Sequence, residues 1–530
     1  MEKGYLSLIL HAHLPFVRHP EHDRFLEESW FYEALTETYI PLIKMLDGLL
    51  NDGVDFRLTI SLSPTLIEML QDPLLNERYQ RRLEGLVELS YKETERTKYD
   101  AHLNSLAWMY NNLFRESQDI YQNRYHCRLL EAFKRFDASG KVELMVCAGT
   151  HGFLPSMEMY PQAVRAQVKV AVDTYRKVFG HIPRGMWLPE CGYYPGLDAI
   201  LKEFGIKFFI MDTHGILFGE PRPSFGVYNP YYCKSAVAAF ARDSDSSKAV
   251  WSAEEGYPGD FRYREFYRDI GYDLDYEYVR PYLMSGDGSR MNTGIKYYRI
   301  TGRTNQKELY DPNAARDVAS YHAGNFMFNR QKQVEYLSSK LGRKPIIVAP
   351  YDAELFGHWW FEGMDWLNFL IRKMCYDQDT VKLTTPAQYL KLYDKYQVLT
   401  PSFSSWGWKG YSEVWLEGSN DWIYPHLHMM VERMSELANT FKQASGDLET
   451  ALNHLSRELL LAQASDWPFM MKTNTFSSYA CQRVKDHIER FNTLYDMIKS
   501  NSLQPDWVKQ RRAQYNLFPD LDYKVYQTTN

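Results

Sequence analysis

Two carboxylates, Glu190 and Asp352, stand just past short apolar runs and are flanked by residues that fix a backbone. Glu190 lies in Gly185-Met186-Trp187-Leu188-Pro189-Glu190-Cys191-Gly192-Tyr193, where proline and glycine imply a set turn rather than a mobile loop. A carboxylate that attacks carbon needs such rigid placement, although a helix N-cap or a salt-bridging Glu fits the segment as well. Asp352 lies in Ala349-Pro350-Tyr351-Asp352-Ala353-Glu354-Leu355-Phe356-Gly357-His358-Trp359-Trp360, with aromatic rings close by. Glycosidic cleavage needs two carboxyl groups in unlike surroundings, one ionised to attack and one protonated to help the leaving group depart. Apolar neighbours raise a carboxyl pKa, which suits Asp352 to the acid role. Spacing leaves open whether Asp352 or Glu354 fills it.

Histidines repeat the pattern. His11 and His13 follow one apolar run, His151 another, and Asp212 with His214 a third. His11, His13, His151 and His214 together with Asp352 could ligate a metal, and metal-dependent deacetylases also place His and Asp at barrel strand ends. The tryptophans favour sugar-hydroxyl contacts instead. Trp187, Trp251, Trp359, Trp360, Trp406, Trp408, Trp415, Trp422 and Trp467 fall in or beside these segments. Pyranose rings stack on such side chains, but large rings also fill cores.

What must position these groups is a set of buried strands. Apolar runs at 5–10, 56–62, 142–147, 185–188, 207–211 and 345–349 each end in polar residues, with helical patterns between some of them. Buried strands alternating with helices, and chemistry at the strands' C-terminal ends, predict a (β/α) barrel with its site on that face. A doubly wound open sheet fits the same pattern. Residues 65–139 are too long for one crossover and read as charged amphipathic helices inserted after the second strand. Beyond Asp421 strand signals stop, and Leu427, Met430, Val431, Met434 and Leu437 share one helical face. The expected division is a barrel over 1–405 and a helical domain over 406–530.

Bulk properties narrow the class. The 530 residues are 45% hydrophobic and 24% charged, as expected of a soluble globular protein with a large core. Lys+Arg 61 against Asp+Glu 67 gives a net charge of −6 without long single-sign runs, which argues against a nucleic-acid partner. The six cysteines are scattered without a CxxC pair, which fits a reducing compartment. The apolar run near the start is too short for a signal segment, and no stretch reaches membrane-spanning length. The expectation is a cytoplasmic protein without a membrane partner, monomer or homodimer.

In order along the chain, the segments resemble glycoside hydrolase family 57, within it the α-1,4-glucan branching enzymes and related amylase-like members. The likeness includes His11-Ala12-His13-Leu14-Pro15-Phe16, Ala148-Gly149-Thr150-His151-Gly152-Phe153-Leu154-Pro155 and the two carboxylate segments. It continues through Trp251-Ser252, Gly256-Tyr257-Pro258-Gly259-Asp260, Ser404-Ser405-Trp406-Gly407, Glu413-Val414-Trp415-Leu416 and Ser465-Asp466-Trp467-Pro468-Phe469. The resemblance implies a (β/α)7 barrel, a helical insertion and a C-terminal helical domain closing the cleft. It implies an α-glucan substrate, a retaining double displacement with Glu190 as nucleophile and Asp352 as acid/base, and no metal or other cofactor. Glucan contacts are implied for Arg242, Trp251, Gly259, Trp406, Trp415 and Asp466. His11, His13, His151, Trp187, Asp212, His214, Glu354 and Trp359 complete the candidate binding set. Two departures tilt the expectation from transfer toward hydrolysis. Asn474-Thr475 stands where branching enzymes carry Gly-Gln, and the stretch 215–241, which there holds a covering loop with a tyrosine, is short. Tyr228, Tyr231 and Tyr232 lie in or near that stretch.

Overall fold

The computed structural model describes residues 2–252 and 254–528. Among the described residues nine strands form one sheet: β1 (Gly4–Ala12), β2 (Leu58–Leu62), β3 (Val142–Cys147), β4 (Gly185–Trp187), β5 (Phe208–Met211), β6 (Tyr231–Tyr232), β7 (Ala238–Ala241), β8 (Ile346–Asp352) and β9 (Val381–Leu383). The order is β6-β7-β5-β4-β3-β2-β1-β8, with β9 also on β1. Every pairing from β7 round to β8 is parallel, and only β6 runs antiparallel. These seven parallel strands curl into a (β/α)7 barrel. Its seam lies between β7 and β8, where Asp243 N–H donates to the Val348 carbonyl at 2.8 Å.

β1, β2 and β3 are buried at every residue. That explains their unbroken apolar sequences, since a parallel strand is covered on both faces and need not alternate. The helices begin where proline follows a capping side chain. Ser63 accepts from Leu66 N–H ahead of Pro64–Gln71, Asp72 from Leu75 N–H ahead of Pro73–Arg96, and Asp311 from Asn313 and Ala314 N–H ahead of Pro312–Leu341.

Between β2 and β3 the helices Pro64–Gln71, Pro73–Arg96, Ala101–Gln118 and Leu130–Ala138 form the expected insertion. A second excursion, between β7 and β8, is mostly irregular up to the 30-residue helix Pro312–Leu341. It is organised on buried Asp269, which accepts from the N–H groups of Gly271, Thr293 and Gly294 and pairs with Lys296 at 3.2 Å. The C-terminal part is helical: Ile423–Thr440, Gly446–Ala462, Asp466–Thr473, Ser477–Lys499 and Pro505–Gln514. Leu427, Met430, Val431, Met434 and Leu437 are all buried on the first of these. Among the described residues no helix is long and apolar enough to cross a membrane.

Candidate active site

Strand register delivers the chemistry to one end of the barrel. His11 pairs with Asp352 across β1 and β8, and His11 with Ser61 across β1 and β2. His151 and Glu190 follow β3 and β4. Both carry left-handed backbones, φ 58° and 61°, as does Cys191 at 52°. Non-glycine residues rarely hold that conformation, and it concentrates where a side chain must be aimed. The turn at Glu190 is held by Cys191 N–H to Leu188 O at 2.8 Å and Gly192 N–H to Pro189 O at 2.9 Å. Gly192 has no room for a side chain, because a Cβ there would lie 2.7 Å from the Phe153 ring.

These elements enclose a cleft of about 630 Å³ lined by His11, His13, His151, Glu190, Arg242, Trp251, Asp352, Glu354, Trp406, Trp415 and Asp466 among others. Glu190 receives two donors, Ser465 Oγ at 3.0 Å and Trp406 Nε1 at 2.9 Å. Burial, helped by the Asp466 charge, raises its carboxyl pKa, and the Trp406 and Ser465 bonds to the anion only partly offset that rise. Asp352 has no such donor among the described residues. Burial pushes its carboxyl well above the usual range, and the Glu354 and Glu190 charges push it further. One carboxyl is therefore solvated by the protein as an anion and the other is disposed to keep its proton. Glu354 is held differently. It accepts from Tyr39 Oη and from His13 N–H at 3.2 Å, so its oxygens are engaged in the wall of the cleft.

A chain of hydrogen bonds runs into Glu190. Ser61 Oγ lies 3.2 Å from His11 Nδ1, His11 Nε2 lies 3.0 Å from His151 Nε2, and His151 Nδ1 lies 2.8 Å from Ser465 Oγ. Ser465 gives its proton to Glu190, so it accepts from His151 Nδ1–H, which leaves His151 Nε2 to accept from His11 Nε2–H. Ser61 then donates to His11 Nδ1. One direction satisfies every link with both imidazoles neutral. Burial, with the neighbouring histidines, drives both pKa values well below the ordinary value and favours that state.

Several candidate residues support the cleft rather than line it. Trp187 is fully buried beneath His11, rings stacked at 4.5 Å. Asp212 pairs with Arg242 at 2.5 Å and His214 at 3.2 Å, and His214 Nε2 donates to Gly410 O at 2.7 Å. The Asp212 bond raises the His214 pKa, so both ring nitrogens can donate. Gly259 closes the short turn Tyr257–Gly259, outside the cleft lining. Trp359 is 54% exposed and stacks on Phe266 at 4.4 Å, also outside it. Tyr228, Tyr231 and Tyr232 sit at the opposite end of the sheet. The Tyr228 carbonyl accepts from Ile346 N–H at the start of β8, and Tyr231 Oη donates to Gly226 O. None covers the cleft. Asn474, with φ 57°, ends helix Asp466–Thr473, and Thr473 rather than Thr475 reaches the lining.

Sequence reasoning did not single out Ser465, Ser61 or Tyr39, nor Phe469 and Lys472 of the lining. Ser465 stands beside a chosen residue, whereas Ser61 and Tyr39 carry no local signal. Indole N–H groups of Trp251 and Trp415 are buried at the cleft without an acceptor among the described residues, a demand that sugar hydroxyls or water can meet. The donor atoms of His13, His151 and Asp466 lie within 4.8 Å of one another, as do those of His11, Cys147 and His151. Either group could in principle bind a cation. His13 Nε2 already sits 3.2 Å from Asp466 Oδ1, and the His13 and His151 rings stack face to face at 3.8 Å.

The chain is similar to known proteins along its whole length. Residues 7–401 match the glycosyl hydrolase family 57 model, and residues 426–526 match the 1,4-alpha-glucan branching enzyme C-terminal model. The 1,4-alpha-glucan branching enzyme of Thermococcus kodakarensis is 33% identical over 93% of this chain and 73% of its own. The alpha-amylase AmyC of Thermotoga maritima superposes with TM-score 0.94 at 43% identity, covering all of both chains. The family 57 branching enzyme of Pyrococcus horikoshii superposes with TM-score 0.89 at 31% identity, covering 100% of this chain and 97% of its own. The chain belongs to glycosyl hydrolase family 57.

Proposed function

We propose that the protein is a retaining α-1,4-glucan-active enzyme whose main reaction is branching: cleaving an α-1,4 link and rejoining the freed segment at an O6 hydroxyl. What carries the retaining chemistry is the asymmetry of the two carboxyls, Glu190 bonded by two donors and Asp352 by none among the described residues, and the likeness to branching enzymes favours transfer to O6. Ionised Glu190 attacks the anomeric carbon, while Asp352 gives its proton to the departing glycosidic oxygen. A covalent glycosyl-enzyme on Glu190 follows. Asp352, now a carboxylate, takes the proton of the incoming hydroxyl as that oxygen displaces Glu190. Arg242, Trp251, Trp406, Trp415 and Asp466 surround the cleft where a glucan would lie, and aromatic walls suit pyranose faces. In this reading residues 406–530 complete the cleft of the barrel over 1–405, since Ser465 and Trp406 bond the nucleophile.

A second reading, mainly hydrolysis, draws on the likeness to AmyC and on the absence of the 215–241 tyrosines from the cleft. Incubating the protein with amylose and then debranching with an isoamylase separates the two. New short chains that appear only after debranching mean branching. Reducing ends without branches mean hydrolysis, and no change in the glucan would overturn both.

A further inference from the structure

We infer that the turn 405–411 is a fixed cover for the nucleophile, and that Trp408 sets how the glycosyl-enzyme divides between water and an acceptor sugar. The inference rests on the α-glucan reading above. Trp408 lines the same cleft as Glu190 and is 64% exposed, an unusual state for the largest apolar side chain. It is not loosely exposed. The turn that presents it is left-handed at Lys409 (φ 65°) and Gly410 (φ 86°). Its two ends are tied by Ser405 N–H to Gly410 O at 2.8 Å and by Ser405 Oγ to the Tyr411 carbonyl. His214 Nε2 grips Gly410 O from the barrel. Gly407 packs so tightly on Trp415 that a Cβ there would lie 2.7 Å from its ring. Lys409 Nζ takes one side of the indole, 4.4 Å from the ring centroid.

The turn is also fastened to the reacting group. Trp406 N–H donates to Glu190 O at 2.9 Å, and Trp406 Nε1 donates to Glu190 Oε2 at 2.9 Å. Wherever Glu190 is aimed, Trp408 follows two residues later. Strain at Lys409 of this kind persists only where surrounding bonds enforce it, and here those bonds serve to hold an aromatic ring in the cleft.

The chemistry at stake is the second displacement. A C1–O bond forms to water or to an acceptor hydroxyl, the C1–Oε bond of the Glu190 ester breaks, and Asp352 takes the proton. Water at roughly 55 M wins unless it is kept away from C1 or an acceptor is better positioned. An indole face offers water no hydrogen bond yet stacks on the C–H face of a sugar. Trp408 thus favours the acceptor on both counts.

The test is the partition ratio, transfer to added maltose over hydrolysis, measured with α-maltosyl fluoride as donor and compared at equal fluoride release. Trp408→Ala is expected to lower that ratio about fivefold or more, and Trp408→Phe, which keeps a ring, to retain about half of it. A Trp408→Ala ratio within about twofold of the parent protein would overturn the inference, as would equal losses in the Ala and Phe variants. Because the donor is activated and the acceptor supplied, the result stands whether or not the parent protein branches amylose. Failure of the branching reading would show separately, in the isoamylase assay.

Discussion

Replacing Ser465 by alanine removes one oxygen and tests how the nucleophile is held. Ser465 Oγ is the last link of the chain from Ser61 and donates to Glu190 Oε1 at 3.0 Å. Without it, Glu190 keeps only the Trp406 donor, and His151 Nδ1–H faces the carboxylate from 3.8 Å, too far to bond well. A hydrogen bond to a charged group contributes about 1.5–3 kcal/mol. Its loss falls on the anionic form, so the Glu190 pKa rises. Activity requires that anion and disappears as pH falls through the pKa, so the acidic limb of the kcat/KM profile moves to higher pH. Below the limb, kcat/KM should fall roughly tenfold to a hundredfold. On the plateau, where both proteins hold Glu190 ionised, the change should be a few-fold at most. Ser61→Ala breaks the far end of the chain, away from any substrate, and should shift the limb the same way by less. The assay is a pH series of initial rates on a maltooligosaccharide, with thermal melts to show that both variants fold. A loss equal at every pH would mean that Ser465 acts on geometry alone, and an unmoved limb would refute the relay.

Asp352→Asn should cut turnover of amylose by about 10²–10⁴ yet still accept an activated maltosyl fluoride, so that mass spectrometry finds a glycosyl group on the peptide carrying Glu190. Glu354→Gln, which keeps the side chain's shape and its contacts to Tyr39 and His13, should cost far less. The reverse ranking would transfer the acid/base role to Glu354. Gly192→Ala forces a Cβ against Phe153 and Pro189 O, and thermal melting should register a destabilisation of about 1–3 kcal/mol. Burial holds His11 and His151 well down and brings His19 and His487 to about 4. At these four histidines the folded protein binds fewer protons than the unfolded chain, so their contribution to stability falls as pH drops from about 6.5 toward 4; an NMR titration that found the His11 or His151 ring charged near pH 6.5 would contradict the assignment of neutral histidines. Exhaustive dialysis against a chelator should leave activity intact, whereas a loss reversed by zinc would give the His13–His151–Asp466 group a metal role.

The fold was legible where burial is two-sided. The apolar runs feeding His11, Thr150, Glu190, Asp212 and Asp352 are continuous because parallel strands are covered on both faces, and each proved to contain a strand. β7 was not seen. Its sequence, Ala-Ala-Phe-Ala, has little β propensity and owes its place to β5 on one side and β6 on the other. β6 and β9, of two and three residues, are too short to show a period. The irregular excursion before Pro312 was hidden for another reason. It is held by side-chain to backbone bonds around Asp269, which leave no apolar repeat in the sequence.

Within the site, legibility followed the kind of work a residue does. Carboxylates after strands could be found because their role depends on an address, the C-terminal end of a buried run, that the sequence displays. The residues that tune those carboxylates have no such address. Ser61 is an ordinary strand serine until register sets it beside His11, and Tyr39 lies on a helical stretch whose pattern reports only packing. Tryptophans divide in the same way. Trp187 and Trp359 are as prominent in the sequence as Trp406, yet one is buried under His11 and another stacks on Phe266 outside the cleft. What separates them is which side of the strand ends each faces, a property of closure rather than of composition. The search for a covering element went astray for the same reason. A tyrosine in 215–241 is near Arg242 in the chain, but residues 226–232 lead to the bottom of β7, and chain proximity there means the full height of the barrel in space. Residues 404–411 are far from Glu190 in sequence and bonded to it in the fold, and Glu190's own hydrogen bonds lead to the turn proposed to cover it.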